Sequence, residues 1–240
     1  MTALRKFWTV CADAVIGAFL LARPARRLVA LCLWGLVALV AVQTGTGGSA
    51  QAQSVAGASA GGLVEAGAFI NSLGQEAITI MASKSEEKGR RVEKYRALLN
   101  RGFDLQVIGR FVLGRYWLLA SPTQQRDYMT LFEEMVIRSY TLMFDSYNGQ
   151  TFRVLSSRTE GNGDVIVASE VLQPKGPAVR VEWRVRNREV GPRIIDVVVD
   201  GVSMSVTQRQ EFASVIQAKG GNMDAFLQAL RDKNAAMVNP

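Results

Sequence analysis

The chain has 240 residues, 48% of them hydrophobic and 20% charged, with a formal net charge of +7 and no histidine. Its two cysteines, Cys11 and Cys32, both lie near the N-terminus, so the rest of the chain has neither imidazole nor thiol. That composition excludes His- and Cys-based nucleophilic, acid–base and zinc chemistry there and favours binding over catalysis.

Residues 28–42 form an uninterrupted apolar run. Arg23, Arg26 and Arg27 precede it, and small residues ending in Ala50-Gln51-Ala52 follow it. A basic flank, a short apolar core and an A-x-A site describe a secretory signal peptide. A permanent span needs roughly 20 apolar residues, and an uncleaved anchor is the alternative reading. A second apolar stretch over 7–22 carries Asp13, which counts against a membrane hairpin and leaves the translation start open. Cleavage after Ala52 would remove five basic residues and one acidic, leaving 23 against 20, or +3. Such a balance gives no reason to expect nucleic acid as a partner. The expected organisation is a signal peptide over 1–52, a flexible leader over 53–62 and a single domain over 63–236. With no cysteine left, that domain must be held by packing alone.

From residue 63 to about 147 the pattern is helical. Phe69, Leu73, Ala77 and Ile80 recur at three- and four-residue steps. Residues 83–101 are strongly charged, and 103–120 are mostly apolar. Ser121-Pro122-Thr123-Gln124 is a helix start in which Ser caps, Pro takes the first turn and Gln reaches back. The helix that follows is apolar over a wide arc, with Tyr128, Leu131, Phe132, Met135, Leu142 and Met143 on one face, extended by Val136, Tyr140, Phe144 and Tyr147. An arc that wide implies burial on two sides.

At Asn148-Gly149 the period changes to two. Residues 151–158, 164–173, 178–187 and 193–199 read as four strands, joined by turn clusters at 161–163 and 174–177. In the third, Val179, Val181, Trp183 and Val185 alternate with Arg180, Glu182, Arg184 and Arg186, so one sheet face is dry and the other wet. Two helices, 205–218 and 222–232, close the chain around Gly220-Gly221. The expected fold is α+β: a curved four-stranded antiparallel sheet wrapped by N-terminal and C-terminal helices. A curved sheet with one apolar face under such helices can leave a dry cavity, and dry cavities take apolar ligands.

Other chemistry finds little support. Glu133 and Glu134 diverge around their helix and cannot share a proton site. Asp196 and Asp200 share a face parity near a strand end, which leaves a carboxylate-based hydrolase as the enzyme alternative. Arg180, Arg184, Arg186, Arg188 and Arg193 make the outer sheet face basic, either as a solvated surface or as a contact for anionic headgroups or an acidic partner.

Two stretches carry a family resemblance. The first is Arg110-Phe111-Val112-Leu113-Gly114-Arg115-Tyr116-Trp117, followed by Ser121-Pro122-Thr123-Gln124-Gln125-Arg126 and the Phe132 helix. The second is Ile195-Asp196-Val197, then Gly201-Val202-Ser203-Met204-Ser205, Thr207-Gln208-Arg209 and Glu211-Phe212. Together they resemble the MlaC or toluene-tolerance family of periplasmic phospholipid-binding proteins, over about residues 69–230. The resemblance implies a soluble periplasmic shuttle that maintains outer-membrane lipid asymmetry, and the chain is expected to be a monomer. Its implied partners are an outer-membrane lipoprotein complex and the substrate-binding ring of an inner-membrane ABC transporter. It implies no catalytic residue, no metal and no cofactor beyond phospholipid cargo. A related branch leaves a hopanoid as an alternative ligand, and a ligand-free interaction module is the other alternative. The expected cavity lining is Phe111, Val112, Tyr116, Trp117, Phe132, Met135, Tyr140, Phe144, Val181, Trp183, Val198 and Met204. Arg115, Arg180 and Arg184 are expected to meet a headgroup or a partner.

Overall fold

The computed structural model describes residues 49–141 and 146–237, with side chains from Gly61 onward. The chain divides into two compact units, Met1–Ser54 and Val55–Pro240, and the architecture below is that of the second. The expected signal peptide falls almost wholly outside the described residues, as does Phe144.

Five helices come first: α1 (Ser49–Ala82), α2 (Lys88–Gly102), α3 (Leu105–Leu113), α4 (Tyr116–Leu119) and α5 (Pro122–Thr141). The sheet follows as β1 (Thr151–Thr159), β2 (Val165–Leu172), β3 (Val179–Arg188), β4 (Gly191–Val199) and β5 (Val202–Ser203), and α6 (Met204–Ala218) and α7 (Met223–Ala236) end the domain. Helix α1 runs through 53–62, the stretch expected to be a flexible leader. Its Ala/Gly/Ser/Gln-rich composition suggested a linker through Gly57, Gly61 and Gly62, while its alanines favour a helix. Further along, α1 buries Ala66, Ile70, Leu73 and Ile80, while Phe69 and Ala77 from the expected stripe are half-buried. At the start of α5 the expected reciprocal cap forms. The Ser121 N–H donates to Gln124 Oε1 at 2.9 Å, and the Gln124 N–H donates to Ser121 Oγ at 3.2 Å.

The sheet is an antiparallel meander in the order β1-β2-β3-β4-β5. Its four long strands fall within two residues of the expected bounds at either end, and a fifth corrects the expected count. Asp200 and Gly201 adopt positive φ (47° and 85°), turning the chain so that Ser203 pairs with Val198 and Val202 with Val199. Two residues are too few to show a period, so β5 leaves no mark in the hydrophobic pattern.

The outer face is charged, and most of its charge is internally matched. Arg153 pairs with Glu170, Arg158 with Glu182 at 2.8 Å, and Arg188 with Asp104 at 2.8 Å. Arg184 and Arg186 converge on Asp164 at 2.7 and 2.6 Å, and the Asp164 side chain is inaccessible to water.

Helices cover the other face. Helix α2 packs on β4, and its end is tied there by the Asp104 N–H, which donates to the Ile194 carbonyl at 2.9 Å. Helix α1 lies against β1 through glycines one heptad apart. A Cβ at Gly74 would stand 2.4 Å from Phe152 Cδ1, and one at Gly67 would stand 3.1 Å from Ser157 Oγ. The Phe152 ring is pinned edge-on against Trp183, with centroids 6.2 Å apart, so it cannot swing aside cheaply. Helix propensity alone favours replacing glycine by about 1 kcal/mol at most, whereas overpacking costs about 1–3 kcal/mol. Gly74→Val, with two γ-methyls aimed at the ring, is therefore expected to lower the thermal midpoint by several degrees in a calorimetric melt, and an unchanged midpoint would refute this packing.

A separate apolar cluster joins α3, α4, α5, α6 and α7. Tyr128 sits at its centre, with Phe132, Phe212 and Phe226 within 6.3 Å, centroid to centroid. The Tyr128 hydroxyl donates to the Gly109 carbonyl at 2.9 Å.

Candidate functional site

The inner face of the sheet is built by register. Trp183 stands opposite Val167 on one side and Val197 on the other, and Val181 stands opposite Ser169 and Val199. Val154 pairs with Ser169 and Phe152 with Val171, which brings β1 into the same face. Val167, Ser169 and Val185 are almost fully buried, whereas Val154, Trp183 and Val199 keep part of their surface accessible. These last three side chains therefore keep surface that the helices over this face do not cover.

Trp183 is satisfied within the protein. Its indole N–H donates to Ser169 Oγ at 2.8 Å, and that hydroxyl donates to the Val181 carbonyl at 3.0 Å. What the indole still exposes is hydrocarbon. Tyr95 of α2 and Tyr140 of α5 stand 6.0 Å apart, both half-buried. Burial first, and the Tyr140 phenol second, push the Tyr95 hydroxyl well above the ordinary tyrosine range. A phenol is neutral at physiological pH in any case, so the shift marks only that the Tyr95 hydroxyl is withdrawn from water. The arrangement offers an apolar, uncharged wall with no nucleophile and no acid–base pair on it.

The expected lining residues separate into groups. Val181, Trp183 and Tyr140 belong to the surfaces just described. Val112, Tyr116, Phe132 and Met135 lie instead in the buried helical cluster, with Trp117 packed against it. Phe111 is exposed, with the Arg209 guanidinium 5.0 Å from its ring centroid. Met204 is half-buried at the start of α6. Val198 pairs with Glu182 on the charged face, across the sheet from Val181 and Trp183. On β4 the inner face carries Val197 and Val199, whereas Asp196, opposite Arg184, shares parity with Val198. Val197 and Val199 were missed, as were Phe152, Val154 and Tyr95. The register shift between Arg184 and Val185 brings Ile194 opposite Val185, so inward residues on β4 break strict alternation.

Of the expected headgroup contacts, Arg115 is exposed, with its guanidinium over the Tyr116 ring at 4.9 Å. Arg180 is exposed, and its backbone N–H donates to Asp200 Oδ1 at 3.3 Å. Arg184 is held by Asp164. The two carboxylates of the enzyme alternative have structural partners. Asp196 accepts from the Ser203 hydroxyl at 2.6 Å and from the Val197 and Ser205 N–H groups at 2.8 and 3.2 Å, fixing the entry to α6. Among the described residues no group of three or more metal-ligating side chains comes together, and no helix is long and apolar enough to cross a membrane.

Comparison with known proteins gives a consistent result. The family model described as MlaC protein matches residues 71–232. The intermembrane phospholipid transport system binding protein MlaC of Haemophilus influenzae is 24% identical over 121 residues, 49% of this chain and 56% of that protein. The chain thus matches only about half the length of that curated relative. A solved structure of a phospholipid-binding protein from Ralstonia solanacearum, in complex with a phospholipid, has the same fold, with a TM-score of 0.64 and 24% identity. The match covers 73% of this chain and 99% of the Ralstonia chain.

Proposed function

This chain belongs to the MlaC family, and we propose that it is an exported carrier that holds phospholipid by its tails and shuttles it between outer-membrane and inner-membrane complexes. The observation that carries this reading is the inner sheet face, where Val154, Trp183 and Val199 point under the helices and still keep accessible apolar surface. Two acyl chains hold about 30 methylenes at ~0.8 kcal/mol each, so exposing them to water costs about 24 kcal/mol. A carrier removes that cost with an apolar wall alone. It makes and breaks no bond, which suits a domain without histidine or cysteine. In this reading residues 1–52 are the cleaved export signal, the domain works in the periplasm, and its partners are the lipoprotein complex and the transporter's substrate-binding ring.

The test is native mass spectrometry of protein purified gently from cells, followed by extraction and identification of the ligand. The expected result is co-purified phospholipid at about one per chain. Apo protein alone would overturn the proposal, and a hopanoid or other apolar lipid in its place would keep the carrier and change its cargo.

A further inference from the structure

Three arginines in one neighbourhood are held in a way the sheet arginines are not. Arg110, Arg115 and Arg209 pair with no carboxylate among the described residues. Each lies instead over an aromatic ring: Arg110 over Trp117 at 5.1 Å, Arg115 over Tyr116 at 4.9 Å and Arg209 over Phe111 at 5.0 Å. The site is contiguous, because the Arg209 Nε would be 2.9 Å from a Cβ at Gly114, which joins the start of α6 to the α3–α4 junction. There is no acidic residue over 105–126 or over 201–210, and the carboxylates that bound these segments have other partners: Asp104 holds Arg188, Asp127 holds Arg231, Asp200 accepts from the Arg180 N–H and Glu211 accepts from Gln208. Beside them stand Leu118 and Leu119, 85% and 76% exposed, with Val206 at 42%. Exposed leucines beside arginines that pair with no carboxylate and lie on aromatic rings, Arg115 also donating to the Tyr116 hydroxyl at 3.0 Å, match the anatomy of an interfacial membrane contact. Aliphatic side chains enter the acyl boundary, the exposed Phe111 ring sits at headgroup level and guanidinium groups meet phosphate.

We propose that this α3–α4–α6 patch docks the protein directly onto an anionic bilayer surface. The occupant follows from charge complementarity. An apolar protein partner would meet three cations that no carboxylate pairs among the described residues, whereas an anionic leaflet satisfies the cations and the leucines together. The contact is distinct from lipid carriage and stands whether or not a lipid is held on the inner face of the sheet.

The test uses the full chain with Cys11→Ser and Cys32→Ser, carrying a polarity-sensitive fluorophore on Leu118→Cys. A control chain carries it on Lys175→Cys in the β2–β3 turn. Vesicles of phosphatidylglycerol with phosphatidylcholine are compared with vesicles of phosphatidylcholine alone. The expected result is a blue shift at position 118 with the anionic vesicles only, reversed by high salt and absent at position 175. Each arginine near an anionic surface is worth about fivefold in partitioning, so changing Arg110, Arg115 and Arg209 together to glutamine should weaken the response roughly a hundredfold. Circular dichroism checks that the triple variant is folded. No shift at position 118 overturns the proposal and leaves the patch to a protein partner. An equal shift with neutral vesicles, or at position 175, overturns it too, because adsorption would then be unspecific or driven by another segment such as the N-terminal apolar run.

Discussion

Replacing Asp164 with asparagine is expected to destabilise the domain by about 2–3 kcal/mol, a fall in thermal midpoint of roughly 5–10 °C for a domain of this size. The carboxylate is shielded from water chiefly by the two guanidinium groups it holds, Arg184 and Arg186, whose side chains are 35% and 34% exposed. That partial exposure sets the estimate below the 3–5 kcal/mol typical of breaking a fully buried pair. Asparagine keeps the volume but points N–H donors at N–H donors. It also leaves two like charges two residues apart on one strand face, with Arg188 beyond them. Burial pushes the Asp164 carboxyl up, but hydrogen bonds from Arg186 and Arg184, with their charges, outweigh it and hold the group below its ordinary value. A carboxyl depressed by folding contributes stability that is complete above its unfolded value of about 3.9 and is lost as pH falls through the folded value. The gap between wild type and Asp164→Asn should therefore be full at pH 7 and shrink below about pH 4 in urea titrations. A gap of equal size at pH 7 and pH 3 would remove the ionised pair as its cause. The exposed Arg158–Glu182 pair is the contrast, and Glu182→Gln should cost less than about 1 kcal/mol.

Asp164 also shows what could be read from the sequence and what could not. The alternation along β3 sorted its valines from its arginines because a strand with one covered face must repeat every two residues. It could not reveal that Asp164, outside the strand, lies where those arginines converge. The Ser121–Gln124 cap was legible because both partners fall within one helical turn. The division of apolar residues between the helical cluster and the inner sheet face was not. Phe132 and Trp183 are equally well placed to leave water. Phe132 leaves it to pack on Tyr128 and Phe212, whereas Trp183 keeps an accessible hydrocarbon edge. Periodicity identifies the buried side of an element, not what fills the space beyond it. Contacts across the fold decide that, and Val198 shows how one bulge changes which residues share a face.

Trp183→Glu is expected to reduce lipid occupancy at least about tenfold, equivalent to 1.4 kcal/mol or more, while the domain stays folded. A carboxylate on this wall must either lose its hydration against acyl chains, at several kcal/mol, or draw water into the recess, and either effect disfavours bound tails. Folding should tolerate the change better than binding does, because the free protein can hydrate the new side chain through the surface that Trp183 already exposes. Ser169 loses only the donor it accepts from and keeps its own bond to the Val181 carbonyl, so little buried polarity is orphaned. Trp183→Phe separates the contributions. It removes the indole N–H but keeps an apolar ring near Phe152, and its lipid loading should stay close to that of wild type. The ratio of lipid-bound to apo protein in native mass spectra, taken alongside melting curves, reads both effects at once. If Trp183→Glu were loaded as fully as wild type, Trp183 would not touch the lipid, and the inner face of the sheet would lose its place as the binding wall.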